Sequence, residues 1–129
     1  MKKPERVLVV DNDAIALEFI GQLVEQAGHE FASVRYFRKF PKIHSTFGPT
    51  MIFADVQMPG FDGIEIARWL AEAGSTAPLI MMSDGNAIAE ISAGLLSEID
   101  AIYPTTVLRK PLNVLETTVI LNYPLALNA

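Results

Sequence analysis

Four short runs carry apolar residues without polar alternation: Val7-Leu-Val-Val10, Met51-Ile-Phe-Ala54, Leu79-Ile-Met-Met82 and Val107-Leu108. A strand with one face in water alternates, whereas a strand buried on both faces does not, so these runs predict strands of a parallel sheet covered on both sides. Turn formers bracket the second run, Gly48-Pro49 before it and Pro59-Gly60 after. Phe31 to Tyr36 predicts a further strand. Between the strands the apolar spacing becomes helical. Ala16, Phe19, Ile20, Leu23, Val24 and Ala27 share one face of a first helix that Gly28 stops. Arg38 to Thr46 predicts a short, poorly patterned helix with Pro41 in its first turn. Ile66, Ala67, Leu70 and Ala73 form the stripe of a third helix, opened by the capping pair Asp62 and Glu65 and ended by Gly74. Ile88, Ile91, Leu95 and Ile99 mark a fourth, despite Gly94 in its middle. Strands alternating with helices, five of each, define a doubly wound parallel α/β sheet.

Each apolar run ends on a polar group. Val10 leads into Asp11-Asn12-Asp13, Ala54 into Asp55, Met82 into Ser83, and Leu108 into Arg109-Lys110-Pro111. In open α/β sheets ligands collect outside the carboxyl ends of the strands, and a carboxylate at the end of a buried strand requires a partner. Taken singly, each residue also has a plainer explanation: Asp55 as a turn cap, Asp13 as a helix cap, Lys110 as a solvated lysine before a helix. His29 and His44 fall in expected surface connections with no second ligand at metal spacing, so structural or solvent roles are expected for them. Trp69 falls on the outer side of the third helix's stripe, partly covered, and Met81 and Met82 are expected in the core.

Composition narrows the class. A chain of 129 residues, half of them hydrophobic, suits one domain spanning 1–129 with one interior. Residues from about 119 to 129 are apolar and broken by Pro124, consistent with the end of a fifth helix, a partner-facing segment or the start of a linker. A net charge of −5 argues against a nucleic-acid surface. The absence of cysteine excludes a disulfide framework and a thiolate metal site, and fits a reducing compartment. After Met1-Lys-Lys only the four apolar residues Val7 to Val10 precede Asp11, too few for a secretory leader. No run approaches the roughly 18 apolar residues of a membrane span, so a soluble, cytoplasmic protein is expected.

Acid cluster, acid, hydroxyl and lysine stand at successive strand ends, with Met58-Pro59-Gly60 and Asp62-Gly63 after the central aspartate. In that order they resemble the receiver domain of bacterial two-component response regulators over nearly the whole chain. The resemblance implies a flavodoxin-like strand order 2-1-3-4-5, which sets strands one and three side by side and gathers Asp11, Asn12 and Asp55 in one crevice. Carboxylates crowded together repel unless a hard divalent cation neutralises them, and magnesium suits an all-oxygen site that also takes phosphate. By the resemblance, Asp55 accepts a phosphoryl group from a sensor histidine kinase or histidine phosphotransfer protein. Asp11, Asn12, Asp55 and the backbone carbonyl of Gln57 hold Mg2+, with Asp13 a further candidate; Ser83 hydrogen-bonds the phosphoryl group, and Lys110 pairs with its oxygens. The Lys110-Pro111 peptide is usually cis in the family, which aims the lysine inward. Such a domain is a signalling switch rather than an enzyme, although it assists its own phosphorylation and dephosphorylation. An output domain or protein partner on the helix 4–strand 5–helix 5 face, or a homodimer, is also implied; nucleic acid and membrane are not.

Several residues depart from the family pattern. Asn12 replaces the usual second acid, Asp84 follows the hydroxyl where a small residue is common, and Val107 stands where an aromatic often rotates with phosphorylation state. The stretch between Ser83 and Lys110 is a few residues longer than usual, with Tyr103-Pro104 in the extra part; Tyr103 reads as an ordinary loop tyrosine rather than a substitute aromatic. These departures keep open a somewhat degenerate receiver that binds proteins without phosphorylation. A third reading takes Asp11-Asn12-Asp13 as the D-x-D motif of haloacid-dehalogenase-like phosphatases, with Asp11 as nucleophile and Asp13 as acid/base. That family needs an acidic motif after the lysine, where only Glu116 stands, and leaves Asp55 without a role.

Overall fold

The apolar runs pair with one another as the centre of a parallel sheet. The computed structural model describes residues 3–58, 61–84 and 89–122. Strands β1 (Arg6–Val10), β2 (Glu30–Val34), β3 (Met51–Asp55), β4 (Leu79–Asp84) and β5 (Thr105–Lys110) lie in the order 2-1-3-4-5, every pair parallel. A two-residue antiparallel ladder, Gln57–Met58 with Phe61–Asp62, follows β3. The helices are α1 (Ala14–Gln26), α2 (Phe40–Phe47, entered through a 3₁₀ turn at Phe37–Lys39), α3 (Gly63–Glu72), α4 (Ala89–Ile102) and α5 (Val114–Asn122).

Because successive strand residues point to opposite faces, the sheet divides its apolar side chains into two layers. Val7, Val9, Met51, Phe53, Ile80 and Met82 pack with Ile20 and Val24 of α1 and Ile120 and Leu121 of α5. Leu8, Val10, Ile52, Ala54, Leu79 and Met81 pack with Phe40 of α2, with Ile66, Ala67 and Leu70 of α3, and with Ile99 of α4. Burial on both faces explains why β1 and β3 lack polar alternation. Helix ends follow their caps: the Asp62 carboxylate accepts from the backbone N–H of Ile64 at 3.0 Å and of Glu65 at 3.4 Å, and Gly28 and Gly74 take φ of +80° and +70° after α1 and α3.

Three expectations are corrected. The second strand runs Glu30–Val34 rather than to Tyr36. β2 is an edge strand with β1 as its one partner, and when β1 turns away after Val10, opposite Val34, the ladder has nothing to continue on. His44 lies within α2, not in a surface connection, with its ring 5.8 Å from that of Phe40 and 4.8 Å from that of Trp69. Trp69 is partly covered as expected, and α2 supplies the cover, with Phe40 edge-to-face at 5.1 Å. Ala73 is exposed at the end of α3, past the buried stripe of Ile66, Ala67 and Leu70. Pro59-Gly60, Ile88 and residues 123–129, with Pro124, lie outside the described residues, as does the side chain of Ile91.

Two glycines of the α3–α4 pair predict opposite responses to alanine. At Gly94, exposed in mid-helix, an added Cβ meets nothing within 4 Å. Gly94→Ala should therefore raise stability by about 0.5–1 kcal/mol. At Gly63 the added Cβ would lie 2.6 Å from both Met81 Cε and Ile99 Cδ1. These are side-chain tips that can shift at a cost, so Gly63→Ala should lower stability by about 1–2 kcal/mol. Urea denaturation of both variants checks the pair, and an unchanged or lower stability for Gly94→Ala would contradict the described α4.

Candidate functional site

Parallel pairing brings the polar strand ends to one edge of the sheet. Val10 lies opposite Ala54, Asp55 opposite Met82, Ser83 opposite Arg109 and Asp84 opposite Lys110. Asp11, one residue past β1, is fully buried, and Ser83 is 4% exposed. The Lys110 ammonium donates to Asp11 Oδ2 at 2.7 Å and to Asp55 Oδ2 at 3.0 Å, so one cation ties the ends of β1, β3 and β5 together. The Lys110-Pro111 peptide is cis.

The acid cluster divides its work. Asp11 Oδ1 accepts from the Asp13 backbone N–H at 2.9 Å, which closes a turn and fixes the carboxylate in plane. The Asp13 carboxylate accepts from the Ile15 N–H at 3.0 Å and caps α1, while the residue also lines the cleft. Asn12 is exposed, and its backbone carbonyl accepts from Arg35 Nη2 at 3.1 Å. The Gln57 backbone pairs with Asp62 in the short ladder just past Asp55; its side chain, like that of Asp84, lies outside the described residues. Asp13, Ala16, Phe19, Asp55, Lys110 and Leu112 line an open cleft of about 560 Å³, apolar on the α1 side and charged at its floor.

Lys110 holds an uneven electrostatic position. Burial pushes its pKa down by penalising the charged form, but the hydrogen bonds and charges of Asp11 and Asp55 together outweigh this and hold the ammonium above the usual lysine range. Two carboxylates therefore share the Lys110 ammonium. The oxygens placed there are the carboxylates of Asp11 and Asp55, with Asp13 lining the cleft beside Asp55. Among the described residues no group of three or more His, Cys, Asp or Glu converges as a metal cage. The set thus fits a hard ion that retains several waters rather than a fully protein-ligated one.

Two contacts escape a reading from sequence. Arg35 follows an edge strand, where nothing in the pattern marks it as the clamp on Asn12. Tyr103 is a buried strut rather than a loop side chain: its hydroxyl donates to the Ala77 carbonyl at 2.6 Å and lies 3.2 Å from Ser75 Oγ. Val107, in β5, is 42% exposed.

Fold and strand-end chemistry together define an α/β signalling domain of the receiver type. The response regulator receiver domain family matches residues 7–116, so the chain belongs to that family. Response regulator MprA of Mycolicibacterium vanbaalenii is 28% identical over 101 residues, covering 78% of this chain and 44% of that protein. A protein-glutamate methylesterase/protein-glutamine glutaminase 2 of Rhodopseudomonas palustris is 31% identical over 102 residues, 75% of this chain and 27% of that protein. The chain thus spans less than half the length of these curated relatives. Among solved structures, the chemotaxis response regulator CheY4 of Vibrio cholerae superposes with a TM-score of 0.77 at 22% identity, covering 96% of this chain and 98% of that one. NtrX from Brucella abortus gives 0.81 at 16% identity over 96% of this chain and 27% of that one. At such identities the likeness shows the fold.

The ion pair has a testable pH signature. A lysine whose pKa is raised on folding contributes stability in full below its unfolded value of about 10.5, and loses it as pH rises through the higher folded value. Stability of the parent should therefore fall above about pH 10.5 more steeply than that of Lys110→Met. Urea midpoints across that range measure the difference, and parallel curves would show that the pair contributes nothing.

Proposed function

We propose that the chain is the phosphoacceptor switch of a two-component phosphorelay, taking a phosphoryl group onto Asp55 from a histidine kinase or histidine phosphotransfer protein. The observation that supports it most is the bridge of Lys110 between Asp11 and Asp55, which sets an acceptor carboxylate beside a cation in an open cleft. An Asp55 oxygen attacks phosphorus in line, the bond from phosphorus to the donor's imidazole nitrogen breaks, and the imidazole leaves with its electron pair. As the acyl phosphate forms, negative charge moves outward from Asp55 onto the phosphoryl oxygens. Lys110 follows that charge from the carboxylates to the phosphoryl group, and the Ser83 hydroxyl donates to another oxygen. Asp11, Asn12, Asp55 and the Gln57 carbonyl would hold Mg2+, with Asp13 mainly a cap. Magnesium, when bound, neutralises the oxygens that gather there.

The chain is proposed to form one domain over residues 1–129 of a cytoplasmic protein, with an output domain or protein partner elsewhere. Among the described residues no helix is long and apolar enough to cross a membrane. Val107 of β5 and Val114, Leu115 and Val119 of α5 are large apolar side chains left exposed, and they support the α4–β5–α5 face as the surface for an output partner or a second copy. A phosphorylation-independent binding module is the second reading. Val107 and the locked Tyr103 favour it, since neither supplies an aromatic able to rotate with the state of the site. Membership of the receiver family weighs against the phosphatase reading, which also leaves Asp55 without a role.

Incubation with Mg2+ and a small-molecule phosphodonor, followed by mass spectrometry, should show one phosphoryl group on Asp55 that Asp55→Asn loses. Label on Asp11, or none, would overturn the proposal. Asn12→Asp tests the metal assignment separately. A unit charge about 4 Å from a divalent ion gains about 2 kcal/mol even in a water-like medium, and repulsion from Asp11 and Asp55 returns part of it. A gain of about tenfold in Mg2+ affinity is expected by calorimetry; equal affinities would place Asn12 outside the metal's ligands.

A further inference from the structure

Positive charge is unevenly placed in this acidic chain. Residues 31–54 contain Arg35, Arg38, Lys39 and Lys42 and no Asp or Glu, so they carry +4 and the remaining residues −9 of the overall −5. The structure gathers Arg38, Lys39 and Lys42, all exposed, along one groove of about 410 Å³ floored by Ile43 and Thr46. Among the described residues the ion pairs engage Arg6 with Glu30, and Lys110 with Asp11 and Asp55; none engages these three. Arg38 in the 3₁₀ turn and Lys42 in α2 thus line the same groove with Lys39, three like charges on one surface. The opposite side of α2 is anchored by Phe40, fully buried and edge-on to Trp69, so the groove is presented on a fixed support.

We propose that this groove docks a short acidic segment of a partner protein, with at least two carboxylates pairing with Arg38 and Lys42. An anion there relieves a repulsion the chain leaves uncompensated, and Ile43 with the aliphatic stems of the lysines offers apolar contact beside the charges. The charge balance of the chain limits the occupant: residues outside 31–54 carry −9, so a long polyanion such as a DNA duplex, with a charge every ~1.7 Å, meets net repulsion that a short segment matched to the groove largely avoids.

Fluorescein-labelled hexaglutamate is the probe, followed by anisotropy at low ionic strength and by amide NMR shifts. Saturable binding that shifts amides of residues 37–47 and weakens with added salt is expected. Each exposed pair is worth up to about fivefold, so Arg38→Glu/Lys42→Glu should weaken binding about tenfold or more. Arg68→Glu, a single charge reversal on α3 and so half the charge change of the double variant, should weaken it less than about twofold. The three positions are exposed, circular dichroism checks the fold, and Arg38→Gln/Lys42→Gln supplies a milder pair that should still lose binding severalfold. No saturable binding, binding kept by both double variants, or equal loss in Arg68→Glu would overturn the proposal. So would tighter binding of duplex DNA or phosphatidylglycerol vesicles than of the peptide, or sedimentation showing that the same residues bind a second copy.

Discussion

One ammonium, that of Lys110, balances two carboxylates that the fold forces together. Asp11 follows β1 and Asp55 ends β3; because those strands are neighbours in the sheet, their carboxylates meet at its edge. Without a counter-charge the repulsion between them, one fully buried, would oppose the strand pairing that forms the core. Lys110 reaches them from the far edge strand, across β4, and so couples the outermost strand to the centre. On the proposed function, a divalent cation entering the cleft would compete with the lysine for the same oxygens.

The coupling suggests how events at Asp55 could reach a surface. Lys110 is the last residue of β5, and Val107 and α5 expose apolar side chains beside that strand's path. A lysine that follows charge from the carboxylates to a phosphoryl group changes the load on β5 itself. Tyr103 is bound to the α3–β4 connection through Ala77 and Ser75, so the start of β5 is pinned. On the other side, Arg35 clamps the backbone carbonyl of Asn12, which follows Asp11.

Much of the fold was legible in the sequence because burial writes directly into pattern. The uninterrupted runs at Val7–Val10 and Met51–Ala54 could only be strands covered on both faces, and Asp62, Gly28 and Gly74 mark helix ends by local chemistry that needs no distant partner. The meeting of Asp11, Asp55 and Lys110 required strand order, which no local signal carries; resemblance to receiver domains supplied it. What stayed illegible depends on contacts between distant segments. The end of β2 is set by where β1 turns away, His44 and Trp69 are covered by each other's helices, and the Tyr103 hydroxyl finds a carbonyl 26 residues upstream. None of these leaves a periodic trace.

The most direct test of this account is the pKa of Lys110 itself, followed by NMR at its side-chain carbons and nitrogen with and without saturating Mg2+. If the ammonium is held by the carboxylates that also attract the ion, magnesium should lower that pKa, and Asp11→Asn should lower it in the metal-free protein as well. Magnesium that binds elsewhere, or a Lys110 pKa unchanged by both the ion and the substitution, would contradict the shared-carboxylate site.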